Sequence, residues 1–338
     1  FVWVEIDIRC KYLSYFYDYM ELKNKKYEGT LPVEKRNDNE FEIEFRNVSF
    51  HYPNSSEMVL SHVNTKISLG SKTAVVGPNG AGKTTLLKLM SGLLEPEYGY
   101  IRTIGRNPVL EKGTYGRDMG IFLVGKSNLE NQDTVREALE MLHHVYRIPK
   151  KEFNKNYEEL AERLAFREYE EKRIKDLSLG QRMRVELAAV FILKPKLLLL
   201  DEPDIGLDEN GKLAFWEMLE EERRKGMTIV VSSHNPVEIS RRCSRIALID
   251  EGKLLFYGTE KRLRSKYASV DIMQLKLYGK IPDLEDLPLK KYEVDQNMLR
   301  LFYDVNLVSS AEIIGLIIKQ TQMKEIQVIK PNLADIIM

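Results

Sequence analysis

Gly77-Pro78-Asn79-Gly80-Ala81-Gly82-Lys83-Thr84-Thr85 lies between two apolar runs, Thr73-Ala74-Val75-Val76 before it and Leu86-Leu87-Lys88-Leu89-Met90 after it. The stretch fits G-x-x-x-x-G-K-[ST], and its flanks predict the strand and the helix this pattern needs around it. The glycines let the backbone turn its N–H groups inward around an anion. The helix that follows points its positive end at the same place. Lys83 is placed to neutralise β- and γ-phosphates and the Thr84 hydroxyl to hold Mg²⁺. The bland alternative is a glycine-rich turn, and the strand–loop–helix context argues against it. The segment therefore predicts a nucleoside-triphosphate site, and leaves open what the nucleotide is used for.

Two further strand ends carry chemistry. Leu197-Leu198-Leu199-Leu200-Asp201-Glu202-Pro203 is a wholly apolar strand closing on two acids. A buried parallel strand delivers its C-terminal residues to the sheet edge where ligands sit. There Asp201 can take Mg²⁺ through water and Glu202 can polarise an attacking water. Thr228-Ile229-Val230-Val231-Ser232-Ser233-His234 repeats the layout with one histidine. A lone histidine is usually structural. This one follows a strand that must lie beside the phosphate-loop strand or its neighbour, so it is expected to reach the γ-phosphate.

Working outward, residues 197–267 alternate short apolar runs with helical stretches, which predicts a parallel sheet with crossover helices. Residues 131–193 read as helical, with Val135, Leu139 and Leu142, then Tyr157, Leu160 and Leu164, at helical spacing. Phe41-Glu42-Ile43-Glu44-Phe45 alternates like a half-exposed strand. Residues 1–40 read as an aromatic helix (Arg9 to Leu22) followed by a charged linker. Beyond 270 the pattern predicts a small α+β unit ordered β-β-α-β-α: strands at 292–294 and 299–303, a helix at 311–320, a strand at 326–329 and a terminal helix at 333–338.

The 338 residues carry 51 Lys+Arg against 51 Asp+Glu, with 43% apolar and 30% charged residues. This is the composition of a folded chain, and its neutral balance argues against a partner bound through bulk positive charge, so no nucleic acid is expected. Cys10 and Cys243 are too few for a disulfide framework or a thiolate metal site, which fits a reducing compartment. No apolar run approaches the roughly 18–20 residues that cross a bilayer. The chain begins with Phe1, so a processed chain, or a piece with a permease fused upstream, is one expectation. Packing of the aromatic helix on the rest of the protein, or its use in a dimer contact, is the other.

Leu177-Ser178-Leu179-Gly180-Gln181-Arg182-Met183-Arg184 precedes a helix, so Ser178 and the Gly180 amide form a second anion site. One phosphate loop and two phosphate-grasping elements predict a sandwich, in which the second element closes on nucleotide held by another copy or a paralogue. With this segment in place the sequence closely resembles the ATP-binding cassette (ABC) family, the nucleotide-binding subunits of ABC transporters, over about residues 41–267. The resemblance implies an α/β ABC-type P-loop NTPase core with an antiparallel β subdomain and an α-helical subdomain (about 131–193), followed here by the small α+β domain at 270–338. It implies ATP and Mg²⁺ as cofactors, with Gly77 to Thr85 as the Walker A loop, Asp201 as the Walker B acid with Thr84 at the metal, and Glu202 as catalytic base. Tyr52 would stack on adenine and His234 would be the switch histidine. Ser178, Gly180 and Gln181 would belong to the signature that grips the opposing nucleotide, and Asp208 to the D-loop. The wording Leu-Ser-Leu-Gly-Gln-Arg-Met-Arg resembles a branch of bacterial export ATPases, in which appended C-terminal domains are common, and Ile329 to Asp335 resembles their ending.

The resemblance implies an ATPase that dimerises on ATP and drives a transmembrane permease, at the cytoplasmic face of the cell membrane. Two departures stand out. The family places a glutamine where alignment on Thr134-Val135-Arg136-Glu137 puts Gly125, and no glutamine follows until Gln132. Glycine can neither ligate nor donate through a side chain, so hydrolysis or its coupling is expected to be weaker. Asp204 also stands in place of the usual threonine. Two alternatives stay open: a regulatory cassette that binds ATP but barely hydrolyses it, and a soluble cassette ATPase acting in translation or DNA repair. The single cassette and the lack of a basic linker or a long coiled-coil insertion count against the second.

Overall fold

The computed structural model describes residues 41–53, 55–111, 116–123, 125, 127, 129–233, 235, 241–266, 269–278, 281–284, 287–331 and 335. The helix expected at 9–22, His234, and the terminal helix at 333–338 apart from Asp335 lie outside them.

Strands β3 (Lys72–Val76), β6 (Leu197–Asp201) and β7 (Thr228–Ser233) are buried at every position, as expected of inner strands in a sheet covered on both faces. They join β5 (Met119–Phe122), β8 (Arg245–Asp250) and β9 (Lys253–Gly258) in a six-stranded sheet ordered β5-β6-β7-β3-β8-β9. Every pairing is parallel except β8 with β9. The phosphate-loop strand β3 thus sits beside β7, which separates it from β6.

Period-two alternation sorts the strand side chains onto two cores. Val75, Leu197, Leu199, Val230 and Ile249 face one way. They share a cluster with Leu86, Leu87 and Leu89 of helix α1 (Lys83–Met90) and with Ile43, Phe45 and Val63 of a three-stranded antiparallel sheet. That sheet is ordered β2-β1-β4, with β1 Phe41–Phe50, β2 Leu60–Ser68 and β4 Tyr98–Thr103. Ala74, Val76, Leu198, Leu200, Ile229 and Val231 face the other way, into a cluster built with the helices. Those helices are α2 (Val135–Val145), α3 (Lys150–Arg163), α4 (Leu179–Phe191) and α5 (Glu209–Arg224). A Thr134–Glu137 capping box starts α2, and Ser178 and Gln181 form another at the start of α4. Helix α6 (Glu260–Lys266) follows β9.

The C-terminal segment differs from its sequence reading. Strand β10 (Val270–Leu277) was not expected, yet it is the inner strand that pairs with both β12 (Met298–Asp304) and β13 (Met323–Ile329), giving the order β11-β12-β10-β13 with β11 at Leu289–Asp295. Helix α7 (Ser310–Ile318) buries Ile313 and Ile317 against Met273, Leu275, Leu299 and Leu301 in a third cluster. Among the described residues no helix is long and apolar enough to cross a membrane.

Candidate nucleotide site

The phosphate loop leaves β3 under tight steric control. A Cβ on Gly77 would lie 2.0 Å from the Ile249 carbonyl oxygen, so only glycine allows the loop to pass β8 this closely. Gly82 has φ +103° and is the N-cap of α1, with no side chain capping that end and no acid in its first turn. The amide end of α1 therefore keeps its partial positive charge for an anion. Lys83 is buried, and its Nζ donates to the carbonyls of Gly77 and Pro78, both at 3.0 Å. Burial pulls the Lys83 ammonium below its ordinary pKa, while the nearby Glu202 and Asp201 carboxylates pull the other way. At the rim, the Tyr52 ring packs edge-on against Phe50 with centroids 5.1 Å apart, and its hydroxyl lies 3.2 Å from Thr85 Oγ1.

The acids arrive from two strands away. In register, Val75 of β3 pairs Ser232 of β7, and Ser232 pairs Asp201 of β6, so these three positions line up at the sheet's C-terminal edge. Thr84 Oγ1 donates to Asp201 Oδ2 at 2.8 Å, and Ser232 Oγ donates to Asp201 Oδ1 at 2.5 Å. Residues 117 apart in sequence are thereby joined through side chains, and Asp201 is buried. A hydroxyl and a carboxylate touching one another are hard oxygen donors of the kind Mg²⁺ takes alongside phosphate oxygens, so Thr84 and Asp201 fit that ion. Mg²⁺ held by Thr84 and Asp201 would supply charge neutralisation to a bound triphosphate. Glu202 follows with φ +46°, a left-handed conformation uncommon for a side-chain-bearing residue. Its N–H is held by the Ser232 carbonyl at 3.3 Å and the Ser232 hydroxyl at 3.1 Å. Ser232 was not among the expected site residues; its signal was a pair of buried serines closing the apolar run Ile229 to Val231.

The residues read as a second anion site share no hydrogen bond with the phosphate loop among the described residues. Ser178 is exposed at the N-terminus of α4, where its Oγ accepts from the Gln181 N–H at 3.3 Å and Gln181 Oε1 accepts from the Ser178 N–H at 3.0 Å. A Cβ on Gly180 would come within 2.9 Å of the Gly206 carbonyl, so this turn and the segment before α5 touch. Asp208 is the N-cap of α5: its Oδ1 accepts from the Gly211 N–H at 2.9 Å and from Arg184 Nη2 at 2.6 Å, and these contacts hold its carboxyl below the usual range. Among the described residues, none of Ser178, Gly180, Gln181 and Asp208 hydrogen-bonds to the phosphate loop.

Gly125 is exposed, with φ +78° and no heavy atom within 4 Å of where a Cβ would stand. Gln132 does not replace the expected glutamine, because its Oε1 accepts from Lys175 Nζ at 2.9 Å, away from the acids. Two residues past Gly125, the Ser127 hydroxyl donates to the buried Glu186 carboxylate of α4, with the Leu129 carbonyl 3.0 Å from the same oxygen.

Residues 60–204 match the ABC transporter family. The ABC transporter ATP-binding protein NatA of Bacillus subtilis (strain 168) is 30% identical over 210 residues, 62% of this chain and 85% of its own length. The chain belongs to the ABC transporter family. As an ABC ATP-binding subunit it is an ATPase, with ATP and Mg²⁺ as its cofactors. A second ABC relative, the Nod factor export ATP-binding protein I of Burkholderia orbicola (strain AU 1054), is 30% identical over 240 residues, 71% of this chain and 77% of its own. A solved ABC cassette, in a dimeric post-hydrolysis state bound to ADP and Pi, superposes with a TM-score of 0.58 at 25% identity. It covers 64% of this chain and 98% of that one.

Proposed function

We propose that this chain is the ATP-hydrolysing subunit of an ABC exporter, peripheral at the cytoplasmic face of the cell membrane through a transmembrane permease. In this reading residues 41–267 form the cassette, with its helical part at about 131–193, and residues 270–338 an accessory domain. The observation that carries it is the Thr84–Asp201 hydrogen bond beside buried Lys83. It brings the metal-holding pair and the phosphate-neutralising cation to one sheet edge. Gly77 to Thr85 cradle the phosphates, Glu202 is the base that takes the proton of the attacking water, Tyr52 supports adenine, and His234 senses the γ-phosphate.

Ser178, Gly180 and Gln181, with Asp208 beside them, are proposed to close on nucleotide held by a second cassette, a copy or a paralogue. The exposure of Ser178 and Asp208, with Gly180 and Gln181 half-buried beside them, supports this. The direction of transport rests on the signature wording and on the export-type relative. An open groove of ≈600 Å³ between β5 and α2, lined by Ile121, Ser127, Leu129, Leu142 and Val145 among others, adjoins the Gly125 segment and is a suitable seat for a permease segment.

One observation favours a second reading, a regulatory cassette with little turnover: Gly125 offers no side chain where the family expects a glutamine. Steady-state ATP hydrolysis by the purified chain, with Lys83→Ala as control, separates the two. Turnover abolished by Lys83→Ala supports the first reading and excludes the regulatory one. Nucleotide binding without turnover supports the second. Copurification with a polytopic membrane protein tests the permease.

A further inference from the structure

β7 runs through the apolar Ile229, Val230 and Val231 and then presents Ser232, a hydroxyl with no solvent exposure at all. A buried hydroxyl is costly unless both its donor and acceptor capacities are used. Here both are. It donates to Asp201 Oδ1 at 2.5 Å and accepts from the Glu202 N–H at 3.1 Å. Asp201 and Ser232 are direct partners in the β6–β7 ladder, so the contact is fixed by strand register rather than by a flexible side chain. The other carboxylate oxygen, Oδ2, accepts from Thr84 at 2.8 Å. One oxygen of Asp201 is therefore anchored on β7 while the other is presented to α1. The neighbouring residue, Glu202, holds φ +46°, a conformation that persists only where surrounding contacts impose it. Two of the bonds at this residue come from Ser232, whose carbonyl and hydroxyl both accept from the Glu202 N–H.

We propose that Ser232 is a positioning residue of the hydrolytic site: its single hydroxyl aims the Asp201 carboxylate at the Mg²⁺ position and fixes the backbone from which Glu202 acts as base. This rests on the ATPase roles proposed above for Asp201 and Glu202. An apolar residue at 232 leaves Asp201 Oδ1 buried without this donor and leaves the Glu202 N–H only the backbone carbonyl of the two acceptors that residue 232 offers it. Both acids are then misplaced together, although neither has been mutated. Threonine keeps the hydroxyl. Cysteine keeps the volume but donates poorly.

The test compares wild type with Ser232→Ala, Ser232→Cys and Ser232→Thr in the full chain, by Mg²⁺ titration of fluorescent-ATP binding and by steady-state turnover. Loss of a ligand's supporting hydrogen bond costs about 10–100-fold in metal affinity or activity. Ser232→Ala is expected to raise the Mg²⁺ concentration for half-maximal binding, and to lower kcat, by that factor. KM for ATP at saturating Mg²⁺ should stay within about threefold. Ser232→Thr restores both quantities. Should the alanine variant fail to fold, judged by thermal unfolding, the cysteine variant carries the same expectation. The proposal is overturned when Ala and Cys match wild type in Mg²⁺ requirement and kcat, or when Thr fails as badly as Ala. A wild type that shows no Mg²⁺-dependent ATP binding instead overturns the site assignment, and this proposal with it.

Discussion

Two glycines of the phosphate loop separate steric exclusion from backbone strain, and the structure puts a magnitude on each. A Cβ at Gly77 would sit 2.0 Å from the Ile249 carbonyl oxygen, whereas real Cβ contacts essentially never fall under 3.0 Å. In Gly77→Ala the loop and β8 must therefore part by about 1 Å. Neither side yields easily: the obstacle is backbone rather than a rotatable side chain, and β3 and β8 are laddered together up to Val76 and Leu248. Overpacking of this kind costs about 3 kcal/mol or somewhat more. A 1 Å displacement of groups that must converge on a ligand costs about 100-fold. At Gly80 the situation is reversed. Its φ is +82°, but nothing stands within 4 Å of the Cβ position, so Gly80→Ala pays only the left-handed backbone cost, about 1 kcal/mol. Fluorescent-ATP titration with thermal unfolding should show Gly77→Ala losing about 100-fold in affinity. Gly80→Ala should lose less than about tenfold in affinity and about 2–4 °C in Tm. Near-wild-type binding by Gly77→Ala, or a greater loss for Gly80→Ala, would refute the reasoning.

Other outcomes follow from the same contacts. Ser178 caps α4 as well as facing the proposed partner, so Ser178→Ala should cost about 1 kcal/mol of stability. Ser178→Asp preserves the cap but sets a negative charge against phosphate. It should melt like wild type yet abolish ATP-driven association, measured by differential scanning fluorimetry and light scattering. Glu220 is bonded by Arg223 and by buried Lys72, whose Nζ lies 2.7 Å from Glu220 Oε2. The Arg223 hydrogen bonds, then Lys72 against the opposing effect of burial, take its pKa from 4.5 down to about 2. Because the folded value lies below the unfolded one, this stabilisation is present above about pH 4.5 and is lost as the pH falls toward 2. The shift caps it at roughly 3 kcal/mol, and partial exposure reduces that to about 1–2 kcal/mol. Urea unfolding of Glu220→Gln should therefore show a shallower loss of stability between pH 7 and pH 3 than wild type, and identical slopes would contradict this.

The phosphate loop and the acid-bearing strand were legible because their signals are local: a fixed glycine spacing, and apolar runs with no polar interruption. β10 was not. Ile272 and Met273 are adjacent and both fully buried, because both faces of this inner strand are covered at its centre, and the period-two pattern breaks where it would have announced a strand. Its partners also lie 20 to 60 residues away in sequence, beyond any local window. Ser178 was read correctly as a helix-start residue. The S-x-x-Q spacing to Gln181 also encodes a capping box, so the residue has a structural duty within its own chain. Asp208 likewise proves to be a helix cap tied to Arg184. Ser232 could not be read as a partner of Asp201 without the register of β6 on β7. Composition says nothing about which buried hydroxyl faces which acid.

The central claim is that nucleotide on the Lys83 cradle of one cassette is sealed by the Ser178 grip of another. Light scattering of Glu202→Gln, with and without Mg-ATP, tests it most directly. Mass should double on adding Mg-ATP, return on its removal, and stay unchanged when Lys83→Ala or Ser178→Asp is added to the same chain. A protein that stays monomeric at saturating Mg-ATP, or that pairs equally well without nucleotide and without Lys83, would contradict it.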